Sequence, residues 1–128
     1  MQDEPAYKCV TSDIIDYLRS HITRAIENGI SPDKIVIDPG IGFGKKLEHN
    51  LELLRYLEEF KILGMPILIG TSRKGFIGSL TGTVPENRLP GTIASCVLAV
   101  KNGCHIVRVH DVKQIKQALQ VTEAILND

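Results

Sequence analysis

The sequence predicts an α/β fold with parallel strands, because three short apolar runs alternate with helical patterns. The runs span residues 35–37, 67–69 and 106–107, and each ends abruptly in polar or charged residues. A strand covered by helices reads as a continuous apolar run, and in α/β folds the residues that do chemistry follow the carboxyl ends of such strands. We therefore expect one functional site at the edge where the three strands end.

Helical patterns surround these runs. A helix is predicted from the capping residue Ser12 to Gly29, because apolar residues recur between them every three or four positions. A second helix follows the glycine-rich loop 39–46 and ends at Gly64, and its predicted core face consists of Leu51, Leu54, Leu57 and Phe60. The other predicted elements are strands at 35–38, 66–70 and 105–109 and helices at 74–80, 91–102 and 112–126.

Three strands are few for a self-sufficient parallel sheet. Such a sheet has two unpaired edges, and an unpaired strand edge recruits another chain. The predicted order also begins with a helix, as a (β/α) array does when it is divided between units. We therefore expect part of a larger sheet or barrel, and an isolated chain that forms a dimer or a higher assembly.

Composition argues against several partners. The 128 residues include fifteen basic and fifteen acidic side chains, and this balance gives no attraction to nucleic acid or to an anionic membrane. No apolar stretch reaches the roughly 18 residues of a membrane span, and the first residues do not resemble a signal peptide, so the cytoplasm is the expected location. Cys9, Cys96 and Cys104 match no metal or redox motif and are predicted to be free thiols.

Three motifs lie at the strand ends, and a fourth lies at the start of the helix predicted at 91–102. They are Asp38-Pro39-Gly40-Ile41-Gly42-Phe43-Gly44-Lys45, Gly70-Thr71-Ser72-Arg73-Lys74-Gly75-Phe76-Ile77-Gly78, Arg88-x-x-Gly91-Thr92 and Arg108-Val109-His110-Asp111-Val112. In this order and spacing they resemble the C-terminal half of the dihydropteroate synthase family, and the resemblance covers essentially the whole chain. The opening Met1-Gln2-x-x-Pro5 is similar to a loop that follows the family's fifth strand.

The resemblance implies a partial (β/α)8 TIM barrel whose three strands are the sixth to eighth, with residues 1–128 forming the C-terminal half of the domain. It implies a cytoplasmic transferase of folate biosynthesis that condenses 6-hydroxymethyl-7,8-dihydropterin pyrophosphate with p-aminobenzoate and releases pyrophosphate. The family segments that hold Mg²⁺ and close over the substrate belong to an N-terminal half that this sequence lacks. We therefore expect an isolated chain without activity, and a homodimer formed through the helices after the last strands.

The resemblance implies that Asp38 and Lys74 bind the pterin. A pterin presents a row of donors beside an acceptor, and the carboxylate of Asp38 can accept two donors at once. Lys74 would supply positive charge to the pterin carbonyl and ring nitrogen, since a cation merely solvated at a helix start is electrostatically unfavourable. The simpler interpretations are a helix cap or surface acid for Asp38 and a solvated side chain for Lys74.

Arg108 and His110 lie two residues apart and point to the same side of the last strand. By the resemblance, the planar guanidinium of Arg108 faces the pterin and His110 faces the leaving pyrophosphate. The structural alternative is an ordinary salt bridge at the strand end, with Asp111 as the partner. The predicted catalytic residues are Lys74, Arg108 and His110, because fixed cations and donors stabilise negative charge on a departing group.

Further positions complete the predicted substrate site. Phe43 corresponds to the family's aromatic wall for the p-aminobenzoate ring, although a core residue that anchors the loop would look the same. Gly70 permits close backbone approach. Gly75 stands where many family members carry a serine that holds the p-aminobenzoate carboxylate, so that carboxylate would depend on backbone N–H groups at the start of the 74–80 helix. Arg73 is predicted to hold the loop.

Two other functions remain open from the sequence. The corrinoid-linked methyltransferases that bind methyltetrahydrofolate in a related barrel share the pterin-recognising acid, but not the Ser-Arg-Lys or Arg-x-His-Asp segments. A non-catalytic half-barrel that serves as an assembly unit is the second alternative. The glycine-rich loop is not a dinucleotide-binding motif, because it lacks the third glycine in register.

Overall fold

A computed structural model describes residues 3–127, with only the backbone of residues 3–9. This part of the chain is a mostly helical α/β fold with two parallel strands. Its elements are α1 (Asp3–Glu27), α2 (Leu47–Arg55), β1 (Leu68–Ile69), α3 (Gly75–Thr81), α4 (Leu89–Lys101), β2 (Ile106–Val107) and α5 (Val112–Leu126). Short 3₁₀ segments occur at Pro32–Lys34, Leu57–Leu63 and Pro85–Asn87.

The sheet is smaller than the three strands predicted from the sequence. β1 and β2 pair in parallel, with Leu68 opposite Ile106, whereas the segment 35–38 contributes only a parallel bridge between Ile37 and Ile67. The N–H of Ile37 donates to the carbonyl of Pro66 at 2.9 Å, and its carbonyl accepts from Leu68 at 2.8 Å. Further pairing in either direction would need an N–H from Pro66 or from Pro39, and proline has none.

The first helix begins nine residues before its predicted cap. Ser12 lies inside α1 and is exposed, and the helix extends back to Asp3. Pro5 does not break it, because proline is tolerated in the first turn, where its missing N–H would have no partner. The predicted loop at the start of the chain is therefore wrong for Pro5, whereas Met1 and Gln2 lie outside the described residues.

The core lies between the sheet and the helices before it. Its largest apolar side chains with no exposed surface are Leu53, Leu57, Phe60, Ile67 and Ile69. Leu57 and Phe60 are confirmed as core residues, but Leu51 and Leu54 are only partly buried, and Leu53 takes the central place. The chain tightens into the 3₁₀ segment after Tyr56, and its spacing of three residues per turn keeps Leu57 and Phe60 on one face.

The later helices agree closely with the sequence pattern. α5 has the predicted bounds, α3 is shifted by one residue, and α4 begins two residues early with Pro90 in its first turn. None of the helices in residues 3–127 is long and apolar enough to cross a membrane.

Two of the three cysteines are described, and both are buried free thiols. Burial raises the pKa of the Cys104 thiol to about 11 and also raises the pKa of Cys96. Both thiols therefore stay protonated at neutral pH, which makes them poor nucleophiles and metal ligands. The prediction of free thiols is confirmed for these two, and the Cys9 side chain lies outside the described part.

Candidate functional site

The strand ends meet at one edge of the sheet. Asp38 follows the bridge residue Ile37, Gly70 follows β1 and Arg108 follows β2. Because all three segments run parallel, their carboxyl ends lie on the same side. An open cavity of about 390 Å³ lies here, lined by Gly70, Ser72, Lys74, Arg108, Val109 and His110. Four of the predicted site residues therefore share one cavity.

Lys74 joins the glycine-rich loop to the loop after β1. Its ammonium Nζ donates to the carbonyl of Ile41 at 2.6 Å and lies 4.6 Å from the ring centroid of Phe43. Gly42 has a φ of +90°, and a Cβ there would lie 2.8 Å from Cδ of Lys74. Position 42 thus requires glycine for two reasons: its backbone is left-handed, and a Cβ would collide with the aliphatic part of the Lys74 side chain.

The electrostatic surroundings of Lys74 favour loss of its charge. Burial lowers the pKa of Lys74, the positive charges of Arg108 and Lys45 lower it further, and the Asp38 carboxylate acts in the opposite direction. An ammonium held close to other cations gains from a ligand that brings negative charge or a carbonyl oxygen.

The carboxylate of Asp38 is oriented by its own turn. Its Oδ1 accepts the N–H of Gly40 at 2.8 Å, and Nζ of Lys45 closes the same loop by donating to the Gly40 carbonyl at 2.8 Å. Asp38 is half-buried and caps no helix of the structure, which removes the helix-cap interpretation.

Gly70 lets the Arg108 guanidinium lie directly on the backbone. Gly70 is buried, and a Cβ at this position would lie 2.7 Å from Nη2 of Arg108. Any larger residue would push the guanidinium out of its place, since real Cβ atoms do not approach so closely. The expectation that Gly70 permits close approach thus has a specific partner.

Phe43 and Gly75 lie at the margin of the site. The Phe43 side chain is 65% exposed, so the alternative of a core residue that anchors the loop is wrong. Gly75 is the first residue of α3, is exposed, and has nothing within 4 Å of the position of a Cβ. Neither residue lines the cavity at the strand ends.

His110 is held by Ser72. The Ser72 Oγ lies 2.7 Å from Nδ1 of His110 and accepts the backbone N–H of the same residue at 3.0 Å. Two hydrogen-bonding contacts between one hydroxyl and one residue fix the ring plane relative to the loop after β1. The sequence analysis did not identify this role for Ser72.

Arg73 points away from the cavity and anchors the loop, as predicted. Its guanidinium pairs with Asp111 at 3.1 Å, its N–H donates to the hydroxyl of Thr92 at 3.1 Å, and its carbonyl accepts from Arg88 at 2.9 Å. Asp111 therefore pairs with Arg73, and the suggested salt bridge to Arg108 or His110 is wrong.

A buried asparagine supports the glycine-rich loop and was missed from the sequence. Asn50 is 3% exposed, and its Oδ1 accepts the N–H of Gly42 at 2.8 Å. A signal was present, because Asn50 lies three residues before Leu53 and seven before Leu57, on the apolar face of a helix. A polar residue at such a position needs a hydrogen-bond partner.

The Mg²⁺ that the family resemblance implies is expected to bind residues outside this chain. Within residues 3–127, with side chains from residue 10 onward, no group of three or more His, Cys, Asp or Glu side chains could hold a metal ion. The residues present do not fit a metal site on their own, and no chemical step described below uses one.

Asp38, Lys74, Arg108 and His110 together offer an acceptor, two cations and a neutral or cationic donor along one edge. This set suits a small ligand that combines a heterocycle rich in N–H donors with an anionic group. The fold and the site thus define an α/β protein with a candidate small-molecule site at its strand ends. The chain belongs to the pterin binding enzyme family, whose sequence model matches residues 1–110.

Individual relatives are dihydropteroate synthases. The enzyme of Escherichia coli K12 is 44% identical over 127 residues, which are 99% of this chain and 45% of that protein. The structure from Clostridium difficile in the presence of pteroic acid has a TM-score of 0.90 and 47% identity, covering 93% of this chain and 45% of that one. The Thermus thermophilus structure with 4-aminobenzoate has a TM-score of 0.87 and 44% identity, covering 92% and 48%. The chain thus spans less than half the length of these relatives.

Proposed function

We propose that this chain is the C-terminal part of a dihydropteroate synthase, with Ile37, β1 and β2 in the sixth, seventh and eighth strands of a (β/α)8 barrel. The observation that carries the proposal is the convergence of Lys74, Arg108 and His110 on one cavity beside Asp38. The dihydropteroate synthase of Escherichia coli K12 supports it, because it is 44% identical over 99% of this chain.

Asp38 and Lys74 would bind the pterin from two sides. The carboxylate of Asp38, already turned by the Gly40 N–H, would accept from the 2-amino group and the adjacent ring N–H. The Lys74 ammonium has three N–H donors and uses one on the Ile41 carbonyl, and the others would bind the pterin carbonyl and ring nitrogen.

Arg108 and His110 would stabilise the leaving group. In the reaction, the bond between the pterin methylene carbon and the pyrophosphate oxygen breaks, and its electron pair leaves with pyrophosphate. The amino nitrogen of p-aminobenzoate forms the new C–N bond and loses one proton. The chain's contribution would be electrostatic, because fixed donors around the departing oxygens lower the barrier without a strong base. Phe43 would lie against the p-aminobenzoate ring.

Catalysis would need more than this chain. The relatives are more than twice as long as this chain. The ligands of Mg²⁺ and the loops that close over the substrate would belong to residues outside these 128 positions. We expect the chain alone to bind ligand weakly and to show no turnover. The cytoplasmic location remains a prediction.

The full-length protein would form a homodimer. A groove of about 460 Å³ between α2, α3 and α4 is mostly apolar, and Leu80 and Leu98 at its walls are 56% and 55% exposed. Exposed leucines beside an apolar groove favour burial against another protein surface. The second copy of the full-length protein is the proposed occupant.

The deciding experiment measures pterin and pyrophosphate binding by calorimetry in the full-length protein that contains this chain. Asp38→Asn places donors opposite donors, and an unmatched pair costs about 1–3 kcal/mol of pterin affinity. Asp33→Asn is the matched control, because Asp33 lies in an exposed 3₁₀ turn. Unchanged pterin binding in Asp38→Asn would overturn the proposed role. Pyrophosphate binding separates this function from a methyltransferase, which has no use for that anion.

A further inference from the structure

Ser72 and His110 form a closed arrangement of two hydrogen bonds. The Ser72 Oγ accepts the backbone N–H of His110 at 3.0 Å and lies 2.7 Å from Nδ1 of the same residue. Ser72 is only 7% exposed, so its hydroxyl has little access to water. Ser72 and His110 are 38 positions apart in sequence and meet because β1 and β2 are adjacent and parallel.

The hydrogen bonds of Ser72 determine which ring nitrogens of His110 carry a hydrogen. When the imidazole is neutral, the hydroxyl hydrogen of Ser72 has one acceptor in this arrangement, namely Nδ1, and the ring proton must then lie on Nε2. In the opposite tautomer, Nδ1–H and the backbone N–H of His110 would both donate to the Ser72 Oγ. The buried hydroxyl hydrogen of Ser72 would then have no acceptor, which is energetically costly. When the imidazole is charged, Nδ1–H donates to Oγ and Nε2 again carries a hydrogen. Nε2 is therefore a donor in both protonation states.

We propose that Ser72 is a positioning residue that fixes the tautomer of His110, so that Nε2–H is always available to an anionic oxygen in the cavity at the strand ends. The cavity already contains Lys74 and Arg108, so the anion meets two cations and one donor that does not depend on pH. The identity of that anion, the pyrophosphate group, rests on the proposed function. The tautomer itself does not.

The chain contains the references needed to measure this tautomer. It has four histidines. His105 is a reference for a fixed Nε2–H tautomer, because its Nδ1 accepts the N–H of Ile67 at 3.1 Å. His21 lies exposed on α1 with its ring centroid 4.3 Å from that of Tyr17, and it is a reference for a ring whose tautomer no hydrogen bond from the described residues fixes. Long-range ¹H–¹⁵N spectra of the imidazole nitrogens at a pH where the rings are neutral report all of them at once.

In the wild-type chain we expect the His110 nitrogens to resonate like those of His105. In Ser72→Ala they should move toward the values of His21, and Ser72→Thr, which keeps the hydroxyl, should restore the original positions. Ser79→Ala is the matched control, since Ser79 is exposed on α3. A wild-type His110 with its proton on Nδ1, or an unchanged ring in Ser72→Ala, would overturn the inference. The wild-type measurement decides the question even if Ser72→Ala does not fold.

Ligand binding gives the second readout. In the full-length protein, Ser72→Ala should weaken pyrophosphate binding by roughly three- to tenfold, the value of one hydrogen bond, and spare unphosphorylated pterin. Equal losses for both ligands would contradict the positioning role, because they would mean that Ser72 only shapes the loop. A wild-type protein that binds no pyrophosphate would refute the proposed function, and the tautomer spectra would still decide the role of Ser72.

Discussion

The guanidinium of Arg73 and the carboxylate of Asp111 lie 3.1 Å apart and tie the loop after β1 to the start of α5. Arg73 has a φ of +57°, in the left-handed region that non-glycine residues rarely adopt. Its backbone is held there by Thr92 and Arg88. Arg73 is thus turned away from the cavity that Ser72 and Lys74, on either side of it, both line.

The strain at Arg73 can be measured with two variants. Arg73→Ala and Arg73→Gly both remove the ion pair, but only glycine relieves the left-handed backbone. We expect Arg73→Gly to be more stable than Arg73→Ala by about 0.5–1 kcal/mol, after the greater freedom of glycine in the unfolded chain is subtracted. Urea unfolding of the two variants gives the difference directly. An alanine variant as stable as the glycine variant would show that the surrounding hydrogen bonds do not enforce this backbone.

Gly70 separates the requirements of the site from those of the fold. In Gly70→Ala the nearest atoms to the new Cβ all belong to the flexible Arg108 side chain, the closest at 2.7 Å. We expect stability to change little, while binding of pterin pyrophosphate to the full-length protein falls roughly tenfold, which corresponds to about 1.4 kcal/mol. Gly75→Ala is the control, because its Cβ would meet nothing within 4 Å. Calorimetry measures the affinity, and urea unfolding of the same samples measures the stability. A large loss of stability with unchanged binding would contradict this prediction.

Glu52 makes folding sensitive to pH. Its carboxylate is fully buried between α1 and α2; Oε2 accepts the Thr11 hydroxyl at 3.2 Å, and Oε1 has no partner among the described residues. Burial raises the pKa of Glu52 above its usual value of 4.5, against smaller opposing effects of Thr11, His49 and Arg55. The folded chain therefore holds this proton more tightly than the unfolded chain does. The stability that protonated Glu52 contributes is therefore fully present below about pH 4.5, and it is lost as the pH rises through the higher pKa of the folded state.

Glu52→Gln should remove that loss. Glutamine keeps the shape and the acceptor for Thr11 but carries no charge, so we expect the variant to be more stable than the wild type at pH 7 and about equally stable at low pH. Urea unfolding at several pH values measures this. Glu58→Gln, on an exposed side chain that pairs with Lys61, should leave the pH dependence unchanged. A Glu52→Gln variant less stable at pH 7 would mean that the charge is compensated.

The sequence predicts what is local and misses what depends on distant contacts. β1, β2, α4 and α5, with the predicted bounds of α5, all come from nearby patterns and are found in the structure, whereas the strand predicted at 35–38 is only a bridge. The contact of Ser72 with His110 joins loops 38 residues apart, so no local pattern contains it. The left-handed Arg73 has no signal either, because arginine does not favour that conformation.

Other misses could have been avoided. Pro39 and Pro66 are visible in the sequence, and the absence of their N–H groups limits the first predicted strand to a bridge at Ile37. Asn50 on an apolar helix face was likewise a readable sign of a buried hydrogen bond. An apolar run forms a strand only where it and its neighbour both supply the N–H groups for pairing.

The isolated chain should associate through the free edge of its sheet. Within the described residues β2 pairs with β1 on one side only, and Ile106 on it is 41% exposed. An apolar groove between β2 and α5 continues this surface, with Val107, Val109, Val112, Ile115 and Leu119 in its lining. An unpaired parallel strand beside an apolar groove favours pairing with another chain. We therefore expect a dimer or a higher assembly at micromolar concentration, measured by light scattering.

A charge on this edge should weaken the assembly. Ile106→Lys places an ammonium where a second strand would pack, and we expect a shift toward monomer without loss of helical content, because Ile106 is already partly in solvent. Ile62→Lys is the matched control, since Ile62 is 71% exposed in the 3₁₀ segment and lies in neither β2 nor α5. Equal effects of the two variants would place the contact elsewhere. A monomeric wild-type chain with a cooperative melt would refute the prediction outright, because the free edge would then be stable in water.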